Sequence, residues 1–330
     1  MCTAISWKGK HHYFGRNLDL EYHYNEQVVI TPRNFPLSFR LQGINSNHYA
    51  MIGTATVAQG YPLYYEATNE MGLSMAGLNF PKNAVYQPVS HKKVNIAPFE
   101  LIPWILSQCS DTNSAYAALQ QINLVHLPFS SDLPLSPLHW IISDSQRSIT
   151  AEPMADGLKI YENPVGVLTN NPPFPYHMQR LSDFMGLSPK QATDHFTPDG
   201  FLRPYSNGMG AMGLPGDFSS ASRFVKATFV KLNSVSAASD AGDISQFFHM
   251  LRCVEMPRGC VIMQDGRYEI TMYSSCCDTD MGIYYYAAYE SNQIHAVNMY
   301  NENLDADALI PYPMIQSCTI NPQNQREEQK

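Results

Sequence analysis

Short β-favouring runs arrive in three blocks, and two pairs of helical segments separate them. The first block holds Cys2–Trp7, His12–Asn17, Glu26–Thr31, Tyr49–Thr56, Leu63–Thr68 and Leu73–Leu78, punctuated by Gly, Pro and Asn. The spacing then predicts helices over Pro98–Gln108 and Thr112–Ile122, followed by the Pro-rich loop Leu127–Pro137. Strands resume at Leu138–Ser143, Ser148–Glu152, Leu158–Glu162 and Gly166–Thr169. A second helical pair covers Ser220–Asn233 and Asp243–Glu255, the latter opening on Asp243 and Gln246 at capping-box spacing. The last strands are Tyr268–Ser274, Gly282–Tyr289 and Gln293–Met299. Such an order argues for sheets covered by helices, an α+β arrangement, and against the regular βαβ alternation of a parallel sheet.

The chain has 330 residues, enough for two domains or one large core. No linker of the domain-separating kind interrupts it, so one domain over residues 1–330 is expected, with a frayed polar tail from about 320 to 330. A formal charge of 21 − 29 = −8 speaks against bulk nucleic-acid binding. No stretch approaches the ~20 apolar residues a bilayer requires, so membrane insertion is not expected. The first residues lack a basic segment followed by an apolar run, which favours a cytoplasmic location. Seven Cys are too few for a disulfide scaffold and form no C-x-x-C, so a thiol redox protein is disfavoured.

Gly208-Met209-Gly210-Ala211-Met212-Gly213 matches G-x-G-x-x-G literally. Arg203-Pro204 precedes it where a strand is needed, and Leu214-Pro215-Gly216 follows where a helix is needed. No acidic residue falls between Phe218 and Ser239, so the dinucleotide reading fails and a flexible loop is expected. P-loop, zinc-protease and nucleophile-elbow motifs are absent, and the histidines lack ligand spacing, so no cofactor or metal is expected.

Residue 2 is Cys. Removal of Met1 would give a mature chain beginning at Cys2, with a nucleophile and a base on one residue. An α-amine, with a pKa of about 7.7–8.0, accepts the thiol proton near neutrality. The next strand carries Phe14-Gly15-Arg16-Asn17-Leu18-Asp19. Arg16 near the thiol favours the thiolate, and Asp19 suits an α-amine; the competing reading is a surface ion pair.

Five blocks carry a resemblance: Met-Cys-Thr at the start; Phe14-Gly15-Arg16-Asn17-Leu18-Asp19; Met75-Ala76-Gly77-Leu78-Asn79-Phe80-Pro81; Gly166-Val167-Leu168-Thr169-Asn170; and the run from Gly213 to Arg223 and Phe224. In that order and spacing, from residue 2 to about 318, the chain resembles the choloylglycine hydrolase family of bile salt hydrolases and penicillin V acylases. The resemblance implies an N-terminal-nucleophile αββα sandwich, two antiparallel sheets covered by helices. It makes Cys2 the nucleophile, flanked by Arg16 and Asp19, with Asn79 and Asn170 at the oxyanion positions and Arg223 completing the polar site. Asn at 79, where typical penicillin V acylases carry Tyr, points to glycine- and taurine-conjugated bile salts. It also implies a homotetramer, and by resemblance the G-x-G loop implies greater tolerance of taurine conjugates.

The Asn170 amide and an Asn79 main-chain N–H are the oxyanion candidates; Asn170, ahead of Asn171-Pro172-Pro173, also suits a turn. Arg223 near a helix start opposes the helix dipole and needs a partner, whether a site role or Asp217. By resemblance Leu18, Tyr24, Ala58, Tyr65, Phe129 and Leu133 line an apolar steroid pocket; the competing reading is core packing. Phe129, in the Pro-rich loop, is expected to be exposed. The other cysteines (Cys109, Cys253, Cys260, Cys276, Cys277, Cys318) are expected to be reduced packing residues. Penicillin V acylase or acyl-homoserine-lactone acylase activity, within the same family, and a non-catalytic steroid binder are the alternatives.

Overall fold

The computed structural model describes residues 1–324. The first strands are β1 (Cys2–Lys8), β2 (His12–Leu20), β3 (Gln27–Thr31), the small hairpin β4 (Leu37–Phe39) and β5 (Gly43–Asn45), β6 (Met51–Ala58), β7 (Tyr61–Asn69) and β8 (Ser74–Asn79). β9 (Val94–Ile96) leads into α1 (Leu101–Gln108) and α2 (Thr112–Gln121), and β10 (Ile122–Leu124) returns parallel to β9. Then come β11 (Leu138–Ser143), β12 (Ser148–Met154), β13 (Gly157–Glu162), β14 (Val167–Leu168), α3 (Phe174–Arg180), α4 (Ser220–Asn233) and α5 (Asp240–Arg252). β15 (Ile270–Asp278), β16 (Ile283–Ala288), β17 (His295–Asn298) and β18 (Ile310–Pro313) complete the described chain.

Two large antiparallel sheets result. One has six strands in the order β14-β1-β2-β15-β16-β17, the other eight in the order β13-β12-β11-β8-β7-β6-β3-β18. Val28, Ile30 and Ile52 of the larger sheet meet Cys277, Tyr284 and Tyr286 of the smaller in a buried cluster. α4 and α5 pack on the six-stranded sheet, α1 and α2 on the eight-stranded one. The αββα sandwich that the resemblance implies is the observed fold.

Strand parity assigns the faces. On β1 the Ser6 hydroxyl lies 2.6 Å from that of Ser143 on β11, so Cys2, Ala4 and Ser6 face the opposite sheet. Thr3, Ile5 and Trp7 face the helices. β2 pairs Cys2 with Leu18 and Ala4 with Arg16, so Leu18 and Arg16 share the inner face while Asn17 and Asp19 turn towards the helices. Gly15 permits β2 to lie against β15: a Cβ there would stand 1.9 Å from the Ser275 carbonyl oxygen.

Several boundaries differ from expectation for local reasons. α5 starts at Asp240, capped by Ser239, and Asp243 lies one turn in. There its carboxylate accepts the main-chain N–H of Lys10 and of Ala237, both at 2.7 Å, so it ties loops to the helix instead of capping it. β18 was not expected, because Pro311 and Pro313 remove donors; they are tolerated on an edge strand. α3 escaped notice because Pro172, Pro173 and Pro175 read as loop, although Pro is tolerated in a first turn, where N–H groups are unpaired. β4, β5, β9 and β10 are only three residues each and show no periodicity. Residues 208–213 form a loop with one 3₁₀ turn, as expected. All seven Cys are free, but Cys260 and Cys318 are exposed and Cys253 is half-buried, so only Cys109, Cys276 and Cys277 are the buried packing residues expected. The part of the expected frayed tail beyond residue 324 lies outside the described residues.

Candidate active site

Cys2 heads β1 and is buried. β14, its neighbour in the sheet, ends at Leu168 and delivers Asn170 beside it. The main-chain N–H of Cys2 donates to Asn170 Oδ1 at 2.8 Å, and Asn170 Nδ2 donates to the Asn79 carbonyl at 2.7 Å. That bond uses the Asn79 carbonyl and is separate from the oxyanion donation expected of the Asn79 N–H. The Asn170 backbone is clamped: its N–H donates to the Ser220 hydroxyl and its carbonyl accepts from His177 Nε2, both at 2.8 Å. Asn170 does sit in the bend that follows β14, and it is also 4% exposed with its side chain bonded to Cys2, Asn79 and Arg223.

Arg223 sits in the first turns of α4 and is 1% exposed. Its Nη1 donates to the Cys2 carbonyl (2.5 Å) and the Thr3 hydroxyl (2.6 Å), its Nη2 to Asn170 Oδ1 (2.7 Å), and its Nε to the Phe218 carbonyl (3.0 Å). These acceptors offset its unfavourable position on the helix dipole. Asp217 is not its partner; that carboxylate accepts from the Ser219 N–H and the Ser222 hydroxyl. Burial lowers the Arg223 pKa, with Asp19 and Cys2 acting against it.

Asp19 is fully buried. Its Oδ1 accepts the Thr271 hydroxyl at 2.6 Å, and its Oδ2 stands 4.0 Å from Arg223 Nη1. The Met1 α-amine donates to the Asp19 carbonyl at 2.8 Å and forms an ion pair with Glu269. Burial pushes that amine below its usual pKa; Cys2 and Asp19 oppose the shift, while Arg223 and Arg16 add to it. Burial thus favours the neutral form of the Met1 amine, while Asp19 and the Glu269 ion pair favour its charged form.

Arg16, also fully buried, lies on the inner face with Cys2. Its Nη1 donates to the Tyr65 carbonyl (3.0 Å) and the Gly77 carbonyl (2.6 Å), 3.7 Å from Glu66 Oε2. Burial works against its charge, but Cys2 and Glu66, with Tyr273 and Asp19, raise its pKa above the usual value. Among the described residues Arg16 Nη2 and Asp19 Oδ2 have no hydrogen-bond partner. The structure thus joins Cys2, Asn170, Asn79 and Arg223 by hydrogen bonds, with Asp19 and Arg16 as their charged neighbours.

The proposed pocket residues divide. Leu18 lies opposite Cys2, and Tyr65 packs on the same cluster. Thr56 links Tyr65 to Tyr24, its hydroxyl bonding the Tyr65 hydroxyl and the Tyr24 carbonyl, each at 2.9 Å. Ala58 and Leu133 pack on the cluster beneath α1. Phe129 belongs to that cluster too and is buried, not exposed, with its ring 5.2 Å from Phe99 and 6.1 Å from Tyr61.

Sequence reasoning missed the supporting shell. His139 Nδ1 lies 3.0 Å from Glu152 and its Nε2 3.0 Å from the Thr169 carbonyl, bracing the segment that carries Asn170. Glu66, Tyr273, Tyr284, Thr271 and Glu269 were also missed. The available signal was a lone carboxylate inside an apolar strand, as at Glu66 and Glu152. A cavity of about 240 Å³ lined by Ser6, His12, Arg147 and Lys231 lies towards the other end of β1. Among the described residues no cluster of three or more His, Cys, Asp or Glu is placed to hold a metal ion.

Two face-packed antiparallel sheets, helices outside both, and a cysteine heading a strand define a hydrolase of the N-terminal-nucleophile fold. The model of the choloylglycine hydrolase family, linear amide C–N hydrolases, matches residues 2–312, and the chain belongs to that family. The chain is 51% identical over 314 residues to the bile salt hydrolase/transferase of Lactiplantibacillus plantarum, covering 95% of this chain and 97% of that protein. It is 36% identical over 326 residues to the bile salt hydrolase/transferase of Clostridium perfringens, covering 97% and 99%. The crystal structure of the mutant C2A conjugated bile acid hydrolase from Clostridium perfringens matches with a TM-score of 0.91 at 36% identity, over 98% of this chain and 100% of that one. Penicillin V acylase from Agrobacterium tumefaciens shares the fold, with a TM-score of 0.74 at 17% identity over 94% and 90%.

Proposed function

We propose that the chain hydrolyses the amide bond of glycine- and taurine-conjugated bile salts, with Cys2 as nucleophile once Met1 is removed. The carrying observation is the hydrogen bond from the Cys2 main-chain nitrogen to Asn170 Oδ1, an acceptor already placed for a free amine at that atom. Cys2 Sγ attacks the substrate carbonyl carbon while its proton passes to the α-amine. The C–N bond then breaks, and the amine returns the proton to the leaving nitrogen. The acyl group remains as a thioester on Sγ. Water, deprotonated by the same amine, attacks the thioester carbonyl and releases free bile acid, restoring the thiol.

Asn170, anchored on three sides, supplies a rigid amide donor for the developing oxyanion, and Asn79 holds that amide in place. Asp19 and Arg223 orient the Cys2 backbone, and Arg16 supports the thiolate. Leu18, Tyr65 and Tyr24 form the near wall for the steroid; Ala58, Phe129 and Leu133 are its farther part. The chain works as one domain, a reading supported by β2 pairing with both β1 and the distant β15. Exposed Phe196, Phe201 and Tyr205 support self-association as a homotetramer. A cytoplasmic location accords with the free cysteines.

The test is release of glycine or taurine from glycocholate and taurocholate, with penicillin V alongside, by wild type and Cys2→Ala. Bile salt turnover in wild type and none in Cys2→Ala is expected, and intact mass should show loss of Met1. Turnover by Cys2→Ala, or full activity with Met1 retained, overturns the mechanism. Penicillin V as the only substrate overturns the substrate assignment.

A further inference from the structure

Glu66 is the only charged residue of β7, and it is 1% exposed between the two sheets. Its neighbours donate to it. The Tyr273 hydroxyl lies 2.8 Å from Oε2 and 3.1 Å from Oε1, the Ser275 hydroxyl lies 3.2 Å from Oε1, and the Tyr284 hydroxyl bonds Oε1. The donors behind them run the same way. Thr54 lies 2.6 Å from the Tyr284 hydroxyl, and the Arg16 N–H donates to Ser275 Oγ at 3.2 Å. A group surrounded only by donors matches the acceptor-only carboxylate.

The Arg16 guanidinium is held in place by other means, since Nη1 donates to the Tyr65 and Gly77 carbonyls. At 3.7 Å from Nη1, Glu66 Oε2 adds charge and no hydrogen bond. Arg16 shares the inner face of its sheet with Cys2, on the diagonal of the β1–β2 pairing, where a Cys2 thiolate favours the charged guanidinium. We propose that Glu66 is a positioning residue acting through Arg16: as its buried counter-charge, it limits how strongly the guanidinium stabilises the Cys2 thiolate. The inference rests on Cys2 being the nucleophile.

The sign follows from the arrangement. Removing the Glu66 charge leaves Arg16 held by carbonyls and uncompensated, so the thiolate is favoured and Cys2 titrates at lower pH. Besides Arg16, the charged groups around Cys2 are the terminal amine, Asp19 on β2 and Arg223 on α4; Glu66 faces the charged Arg16 and the Tyr273, Tyr284 and Cys277 groups, which burial keeps protonated. Glu66→Gln changes the partner of Arg16, Tyr273 and Tyr284 and leaves those of Asp19 and Arg223 in place. Burial raises the Glu66 pKa against Arg16 and the three hydroxyls, so loss of one donor hydroxyl shifts it further towards the neutral form.

The experiment follows iodoacetamide alkylation of Cys2 against pH in the processed protein, read by mass on the N-terminal peptide. Glu66→Gln should lower the midpoint by about one pH unit, and Glu66→Asp, which keeps the charge, should restore it. If Glu66→Gln does not fold, Tyr284→Phe should lower the midpoint by roughly half as much. A folded Glu66→Gln, or failing that Tyr284→Phe, with an unmoved or raised midpoint overturns the proposal. Activity remaining in Cys2→Ala would instead overturn the nucleophile assignment, so the two failures are distinguishable.

Discussion

Asn170 Oδ1 accepts both the main-chain N–H of Cys2 at 2.8 Å and Nη2 of Arg223 at 2.7 Å. One side-chain oxygen therefore connects the head of β1, the end of β14 and the start of α4. Because the Asn170 NH₂ also reaches the Asn79 carbonyl, a single amide couples the two sheets beside the proposed nucleophile.

Replacing that amide tests its double role. Asn170→Ala leaves the Cys2 and Arg223 donors without their acceptor and removes the proposed oxyanion donor. The kcat/KM for taurocholate should fall by about 10²–10³. Urea unfolding should show a loss of roughly 1–3 kcal/mol for the buried groups left unpaired.

Arg223→Lys keeps the charge and loses the fork. One ammonium does not reach the Phe218 carbonyl, the Cys2 carbonyl, Thr3 and Asn170 together. A stability loss of roughly 2–4 kcal/mol and at least a tenfold drop in kcat/KM are expected, read by urea unfolding and steady-state kinetics.

His12 and His177 make folding sensitive to acid. Burial lowers both to about 4 in the folded protein, from an ordinary value near 6.5. Between those values the unfolded chain binds two protons that the folded chain does not. Their contribution is complete above pH 6.5 and is lost as pH falls towards 4, by roughly 3 kcal/mol for each ring. The unfolding free energy of His12→Gln should depend on pH with one proton fewer across that window. An unchanged slope would contradict the assignment.

Gly15→Ala should be among the most damaging single-methyl additions. The new Cβ would meet the Ser275 carbonyl oxygen at 1.9 Å, and that oxygen belongs to a neighbouring strand that cannot rotate away. Opening β2 from β15 should cost about 3 kcal/mol or more. Because Arg16 is the next residue, Cys2 alkylation should slow as well.

Much of the fold was legible in local pattern. The three strand blocks and two helix pairs stand where the sequence puts them, since side-chain period and turn residues act over a few positions. Short or proline-bearing elements were not legible: β18 and α3 use prolines only where a missing N–H costs little, at a sheet edge and in a first helical turn. The α5 capping spacing misled because Asp243 answers to Lys10, far away in sequence.

For the site, the sequence by itself determined the cysteine at the second position and set Arg16 and Asp19 three residues apart in one short run. Only the tertiary structure decided which polar groups meet. Asn170 reaches Cys2, Arg223 and Asn79, while Arg16 finds two carbonyls and Glu66 across the sheet interface. Side-chain period assigns a residue to a face, whereas a hydrogen bond near 3 Å between distant segments depends on how two twisted sheets and a helix pack together.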